Sequence, residues 1–196
     1  MGDGPTRVPI KALDGQESLI AHRWRAPRDL QKSVVARVGD YQVRQCERED
    51  IPGVIQINED TLPEHYSDFF YYEILTEFPE PFLVAELEGK VVGYVMGRIE
   101  YGFSHLRRLG LSRKGHIVSV AVKEEHRGKG VGTQLLKASQ AAMAAKGATE
   151  CYLEVRVSNN EAILLYQKLG YKTSGRLEGY YKDGEAALVM AVPLAQ

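Results

Sequence analysis

Cysteine is scarce in this chain of 196 residues: only Cys46 and Cys151 occur, far apart and without CxxC spacing. That pattern excludes a disulfide framework and a cysteine-based zinc site, so no metal is expected, and it suits a reducing cytoplasm. Net charge is equally small, with 25 basic against 26 acidic residues and a formal charge of -1. No global field calls for nucleic acid or an anionic membrane, although Lys and Arg cluster locally at Arg107-Arg108, Arg113-Lys114 and Arg127-Lys129. No apolar run approaches the ~20 residues needed to cross a bilayer. No basic segment followed by an apolar one opens the chain, so secretion is not expected. Internal repeats are missing as well. What is present, 44% hydrophobic residues, is enough for one sizeable core.

Residues 1–38 mix Gly, Pro and charge without a sustained period and read as an N-terminal extension, partly disordered. From Tyr41 the text is regular, and residues 39–196 read as one domain. Residues 41–46 alternate like a strand, and 47–61 place Ile51, Val54, Ile55 and Ile57 at helical spacing. A second, aromatic-rich helix spans 66–78. Residues 82–87 and 90–99 form a hairpin around Glu88-Gly89, followed by a basic loop and a nearly continuous apolar strand at 116–122. A helix over 131–146 stops at Gly147. A strand at 151–157 leads through a Ser158/Glu161 capping box into a helix over 159–169. Strands at 171–175 and 186–193 finish the chain. The result is an α/β architecture, a mixed, mostly antiparallel seven-stranded sheet with helices on both faces.

The sharpest motif is Arg127-Gly128-Lys129-Gly130-Val131-Gly132, between the apolar strand and the amphipathic helix. Glycines let backbone N–H groups approach a ligand, and the helix start adds unpaired N–H groups and the positive end of its dipole. Arg127 and Lys129 add formal charge. The junction therefore suits a phosphate or pyrophosphate. A dinucleotide fingerprint would need a small residue in place of Thr133, and a P-loop would need Ser or Thr after Lys129, where Gly130 stands.

The run 116–132 resembles the acetyl-coenzyme A site of the Gcn5-related N-acetyltransferase (GNAT) superfamily, with its Arg/Gln-x-x-Gly-x-Gly/Ala pattern after a buried strand. The similarity runs from about Tyr41 to Pro193. Four further segments resemble the archaeal N-terminal acetyltransferases, relatives of RimI and of the NatA catalytic subunit: Leu62-Pro63-Glu64-His65-Tyr66, Lys114-Gly115-His116-Ile117, Glu154-Val155-Arg156-Val157-Ser158-Asn159 and Gly179-Tyr180-Tyr181-Lys182-Asp183-Gly184. The resemblance implies a GNAT fold in which a bulged strand splays from its neighbour and pantetheine lies in the gap. It puts Ser119, Val120, Ala121 and Val122 along pantetheine, and Arg127, Gly128, Lys129, Gly130, Val131, Gly132 and Thr133 at the pyrophosphate. Asn159 would touch pantetheine; helix capping is its other reading.

Acyl transfer from a thioester to an amine needs a neutral amine, a polarised carbonyl and a proton for the thiolate. An α-amino group has a pKa of about 7.7–8.0 against about 10.4 for lysine, so roughly one N-terminus in seven is already neutral at pH 7. A modest base suffices. The resemblance ranks Glu154 above His116 for that role; without it, Glu154 reads as an edge carboxylate paired with Arg156 or a neighbouring cation. It makes Tyr166 the acid, although that residue also reads as a packed core tyrosine. A backbone N–H near Val120 would hold the carbonyl oxygen.

Around the acceptor the resemblance places Glu64, Tyr66, Tyr180 and Tyr181. It implies N-terminal acetylation of proteins, with Ser, Ala and Thr starts preferred and weaker use of Met-Leu or Met-Glu. His65 departs from the Asn of many relatives. Glu64 can also be read as a first-turn helix carboxylate. The expected partners are protein N-termini, nascent chains at the ribosome among them, acetylated by a cytoplasmic monomer for which no auxiliary subunit is indicated. Two other readings share the cradle: an acetyltransferase of a small amine, and a non-catalytic acyl-coenzyme A sensor lacking base and acid.

Overall fold

In a computed structural model of the chain, which describes residues 33–107 and 110–195, the apolar alternation is resolved into one sheet between two helical layers. The elements are β1 (Val34–Val38), β2 (Tyr41–Gln45), α1 (Ile51–Thr61), α2 (Asp68–Glu77), β3 (Leu83–Leu87), β4 (Lys90–Phe103), β5 (Leu111–Val122), α3 (Val131–Ala145), β6 (Glu150–Arg156), α4 (Asn160–Lys168), β7 (Lys172–Leu177) and β8 (Ala187–Pro193). They form an eight-stranded sheet in the order β1-β2-β3-β4-β5-β6-β8-β7, antiparallel except for β5 beside β6.

The strand count corrects the expected seven. Val34–Val38 pair antiparallel with β2, so the boundary expected at residue 38 falls inside a hairpin. The alternation there is shallow, with half-buried and exposed positions trading places and no position fully buried. The part of the expected extension covering residues 1–32 lies outside the described residues. The expected basic loop is also shorter, because β4 and β5 stay paired out to Phe103 and Leu111.

Period-two alternation assigns each strand residue to a layer. Leu83, Ala85 and Val95 pack with Val131, Leu135, Leu136 and Met143 of α3 and Tyr166 of α4. Phe82, Val84, Tyr94 and Met96 pack with Ile51, Val54 and Ile57 of α1 and with Tyr71 and Ile74 of α2. Each fully buried Leu, Ile or Met side chain of this kind stabilises the fold by roughly 1.5–3 kcal/mol relative to exposure.

One irregularity shapes everything downstream. Met96 faces Ser119 while Gly97 faces Ile117, so Val118 is an extra residue in β5. Such a bulge shifts the alternation by one. Ile117 before it, and Val120 and Val122 after it, all join the α3 layer, whereas Val118 and Ala121 join the α1–α2 layer. His116, alternating with Ile117, is thereby turned to the α1–α2 side. Tyr66 fixes the bulge, its hydroxyl donating to the Val118 carbonyl at 3.1 Å.

Candidate active site

β5 and β6 run parallel for only three residue pairs, Lys114 with Glu150, Gly115 with Cys151 and His116 with Tyr152. Beyond His116 no strand among the described residues pairs with that edge of β5, although β4 still lines its other edge as far as Val122. A wedge opens in the middle of the sheet, bordered by the backbone of Ser119, Val120, Ala121 and Val122. The Ser119 side chain is occupied behind it, bonded at 2.7 Å to the Tyr94 hydroxyl, which also accepts from Asn58 at 2.9 Å.

At the wide end, β5 runs through a short 3-10 turn (Glu124–His126) into the glycine run. The Tyr41 hydroxyl, 3.1 Å from His126 Nδ1, ties this turn to β2. Gly128 and Gly130 take φ of 72° and 82°, a region that side chains disfavour. Gly130 is the residue before α3 and offers no side-chain cap. The first N–H groups of a helix lack intrahelical partners, so those of Val131, Gly132 and Thr133 face outward with the helix dipole behind them. Arg127 Nε and Lys129 Nζ fold back onto the carbonyls of Val122 and Glu125, each at 3.0 Å, and both side chains are exposed. A diphosphate with a narrow extended arm fits this combination of uncapped amides, cations and open strand edge.

His116 and Glu154 meet at the narrow end. Glu154 lies one alternation beyond Tyr152, so parallel register brings it to the same face as His116, and His116 Nε2 lies 2.8 Å from its Oε2. The pairing of Glu154 with Arg156 weighed from the sequence is not what forms. The His116 ring lies parallel to Tyr152, 4.4 Å between centroids, and is 8% exposed. Its Nδ1 is buried with no partner among the described residues. Tyr152 in turn donates to Glu100 at 2.6 Å.

The residues expected around the acceptor also converge. Burial first, then the charges of neighbours including Glu64 and Glu154, push the Tyr66 hydroxyl up to about 12. Burial together with the same two carboxylates raises Tyr180 and Tyr181 as well. Tyr180 and Tyr181 pack edge to face with centroids 5.1 Å apart, and Tyr180 is half exposed. Glu64 precedes α2 rather than lying in its first turn, and it is bound by Arg156, whose Nε is 3.0 Å from Oε1. His65 Nδ1 lies 3.3 Å from Asn58 Oδ1.

Tyr166 sits on the inner face of α4, packed against the α3 layer. Burial pushes its hydroxyl up to about 12, and no described residue hydrogen-bonds it. Asn159 caps α4, its Oδ1 accepting from Ala162 N at 3.2 Å. The expected Ser158 cap does not form; Ser158 N donates instead to Glu185 at 2.9 Å. Asn58, Tyr94, Glu100 and Tyr152 carry no local sequence signal, because each matters through a partner far away in the chain.

Residues 51–171 match the Acetyltransferase (GNAT) family. This chain belongs to that family. Over 157 residues it is 51% identical to the N-alpha-acetyltransferase of Sulfurisphaera tokodaii, covering 79% of this chain and 94% of the relative. The N-alpha-acetyltransferase of Saccharolobus solfataricus gives the same identity and coverage. Among solved structures, Ard1 from Thermoplasma volcanium superposes with a TM-score of 0.70 at 29% identity, covering 80% of this chain and 99% of that one. The splayed strands and the uncapped glycine cradle agree with what the resemblance implied for the fold.

Proposed function

We propose that this chain is a protein N-alpha-acetyltransferase, moving the acetyl group of acetyl-coenzyme A to the free α-amino group of protein N-termini. The activity rests on its similarity to the archaeal enzymes above. The single observation that carries the mechanism is the His116–Glu154 pair at the narrow end of the wedge, beside Tyr66, Tyr180 and Tyr181.

The diphosphate sits on the amides of Val131, Gly132 and Thr133, Arg127 and Lys129 leave the Val122 and Glu125 carbonyls to turn toward it, and the pantetheine arm pairs with the open edge of β5. The incoming amine attacks the thioester carbonyl carbon. Its proton passes to the Glu154–His116 pair, with the unpartnered His116 Nδ1 available to a water. A backbone N–H near Val120 supports the carbonyl oxygen as it takes up negative charge. The carbon–sulfur bond then breaks, and Tyr166, still protonated at neutral pH, gives its proton to the thiolate. Asn159 Nδ2, left free by the cap, reaches the pantetheine arm.

The acceptors are chains starting with Ser, Ala or Thr, with weaker use of Met starts, and nascent chains at the ribosome are among them. The enzyme works as one subunit in the cytoplasm, for which two buried free thiols are suited. A panel of peptides incubated with acetyl-coenzyme A, followed by mass spectrometry, tests the reading. Acetylation confined to lysine ε-amines would overturn it.

A further inference from the structure

Arg156 ends β6 two residues after Glu154 and therefore shares its face. Its guanidinium meets carboxylates from two separate connections. Nε and Nη2 both donate to Oε1 of Glu64, in the segment between α1 and α2. Nη1 donates to Asp183 and to Glu185, each at 2.7 Å, in the segment between β7 and β8. The plane of the group lies over the Tyr181 ring, 4.0 Å from its centroid. Burial works against the charge, yet the bonds to Glu185, Glu64 and Asp183 hold it above its ordinary value.

These two segments carry the residues around the acceptor, Glu64 and Tyr66 on one, Tyr180 and Tyr181 on the other. Among the described residues no backbone hydrogen bond joins them. A lysine ammonium is a point charge on a flexible stem; a planar fork with donors on three nitrogens can hold carboxylates on opposite sides at once. Both bonds to Glu64 fall on one oxygen, so Oε2 keeps its lone pairs while the guanidinium, shared with Asp183 and Glu185, offsets part of the carboxylate's charge.

We infer that Arg156 is a positioning residue for acceptor selection: it clamps the two acceptor segments at a fixed separation and offsets part of the charge of Glu64, so that the pocket takes small first side chains that are uncharged or donate a hydrogen bond, and favours basic ones less than an unclamped Glu64 would. This rests on the N-terminal acetylation proposed above. Surface ion pairs contribute little stability singly, and the clamp acts through geometry and charge balance rather than through holding the fold together.

The test uses the full chain with Arg156→Met, Arg156→Lys and the double variant Asp183→Asn/Glu185→Gln, assayed on Ser-, Ala- and Lys-starting peptides. Coenzyme A binding is measured by calorimetry, and thermal melting is followed in parallel. Loosening an acceptor site by about an ångström costs up to roughly a hundredfold, so Arg156→Met should raise the KM for the Ser peptide about ten- to a hundredfold. Its kcat should stay within about threefold, coenzyme A affinity should be unchanged, and the Lys peptide should gain relative to the Ser peptide. Arg156→Lys should fall between this variant and wild type. The double variant, changed only in the β7–β8 connection, should reproduce the KM rise without the gain on Lys, because Glu64 keeps Arg156 and two negative charges are removed. Wild-type KM values and selectivity in all variants, or losses that only track melting and coenzyme A affinity, would overturn the clamp alone. A wild-type chain that acetylates no N-terminus would overturn the acceptor reading and the clamp together.

Discussion

His116 Nε2 lies 2.8 Å from the Glu154 carboxylate, at the point where β5 ceases to pair with β6. Glu154→Gln keeps the shape and a hydrogen bond but loses a proton acceptor. General-base loss of this kind lowers kcat by about 10²–10⁴-fold. The coenzyme A Kd should stay within about twofold, since the cradle is on another element. Steady-state kinetics beside calorimetry check this, and an unchanged kcat removes Glu154 from the proton path.

Tyr166→Phe deletes a hydroxyl that no described residue binds, so melting should shift little. Only the acid is lost, and kcat should fall while the peptide KM holds. Because burial holds this phenol at about 12, wild-type kcat should show no alkaline decline from Tyr166 ionisation up to about pH 11. A pH–rate profile of both proteins reads this directly; a Phe variant with wild-type kcat would assign the thiolate's proton to another donor.

Gly130 stands at φ 82°, and a Cβ there would touch Val38 of β1 at 3.4 Å, so the backbone angle and not crowding is what a side chain would strain. Placing a side chain in the left-handed region costs about 1–2 kcal/mol. In Gly130→Ala the free chain relieves this strain by relaxing the turn and binding must restore it, so acetyl-coenzyme A affinity should fall about tenfold, 1.4 kcal/mol corresponding to one decade. Calorimetric titration measures it, and equal affinity would mean that the diphosphate sits elsewhere.

Glu150 is 2% exposed and accepts from Ser104 Oγ at 2.6 Å, His105 N at 2.8 Å and Ser112 Oγ at 3.1 Å. Burial disfavours its charge, but these donors hold the carboxyl below its ordinary 4.5. A depressed folded-state pKa gives stability that is present above 4.5 and lost as pH falls through the folded value. Glu150→Gln should be less stable by about 1–3 kcal/mol at neutral pH and should lose less on acidification than wild type. Denaturant melts at pH 7 and below 4.5 separate the two; parallel curves would show that Glu150 does not titrate with folding.

The cradle was legible because its signals are local: an apolar strand, glycines and a helical period follow one another within residues 116–146. The strand at 34–38 was not, since its alternation buries no position fully and it stands beside a charged, irregular stretch. Pairing across the sheet was harder still. Glu154 and Arg156 both invite each other in sequence, but residues two apart on a strand point the same way without meeting. Parallel register gives Glu154 to His116, and the connections give Arg156 partners 92, 27 and 29 positions away. The Val118 bulge was expected from the resemblance alone; nothing in Ile117-Val118-Ser119-Val120 marks which residue is the extra one.

The wedge between β5 and β6 has a consequence for the lifetime of the protein. Among the described strands this seam is the shortest ladder, three residue pairs between five strands and the other three, helped by a bond from Thr149 N–H to the Arg113 carbonyl and by side chains such as Glu150. A molecule whose amides and carbonyls complete that seam favours the native chain by mass action. The thioester donor is in this sense a keystone as well as a reactant, and a cell starved of it would carry this protein in its most perishable form.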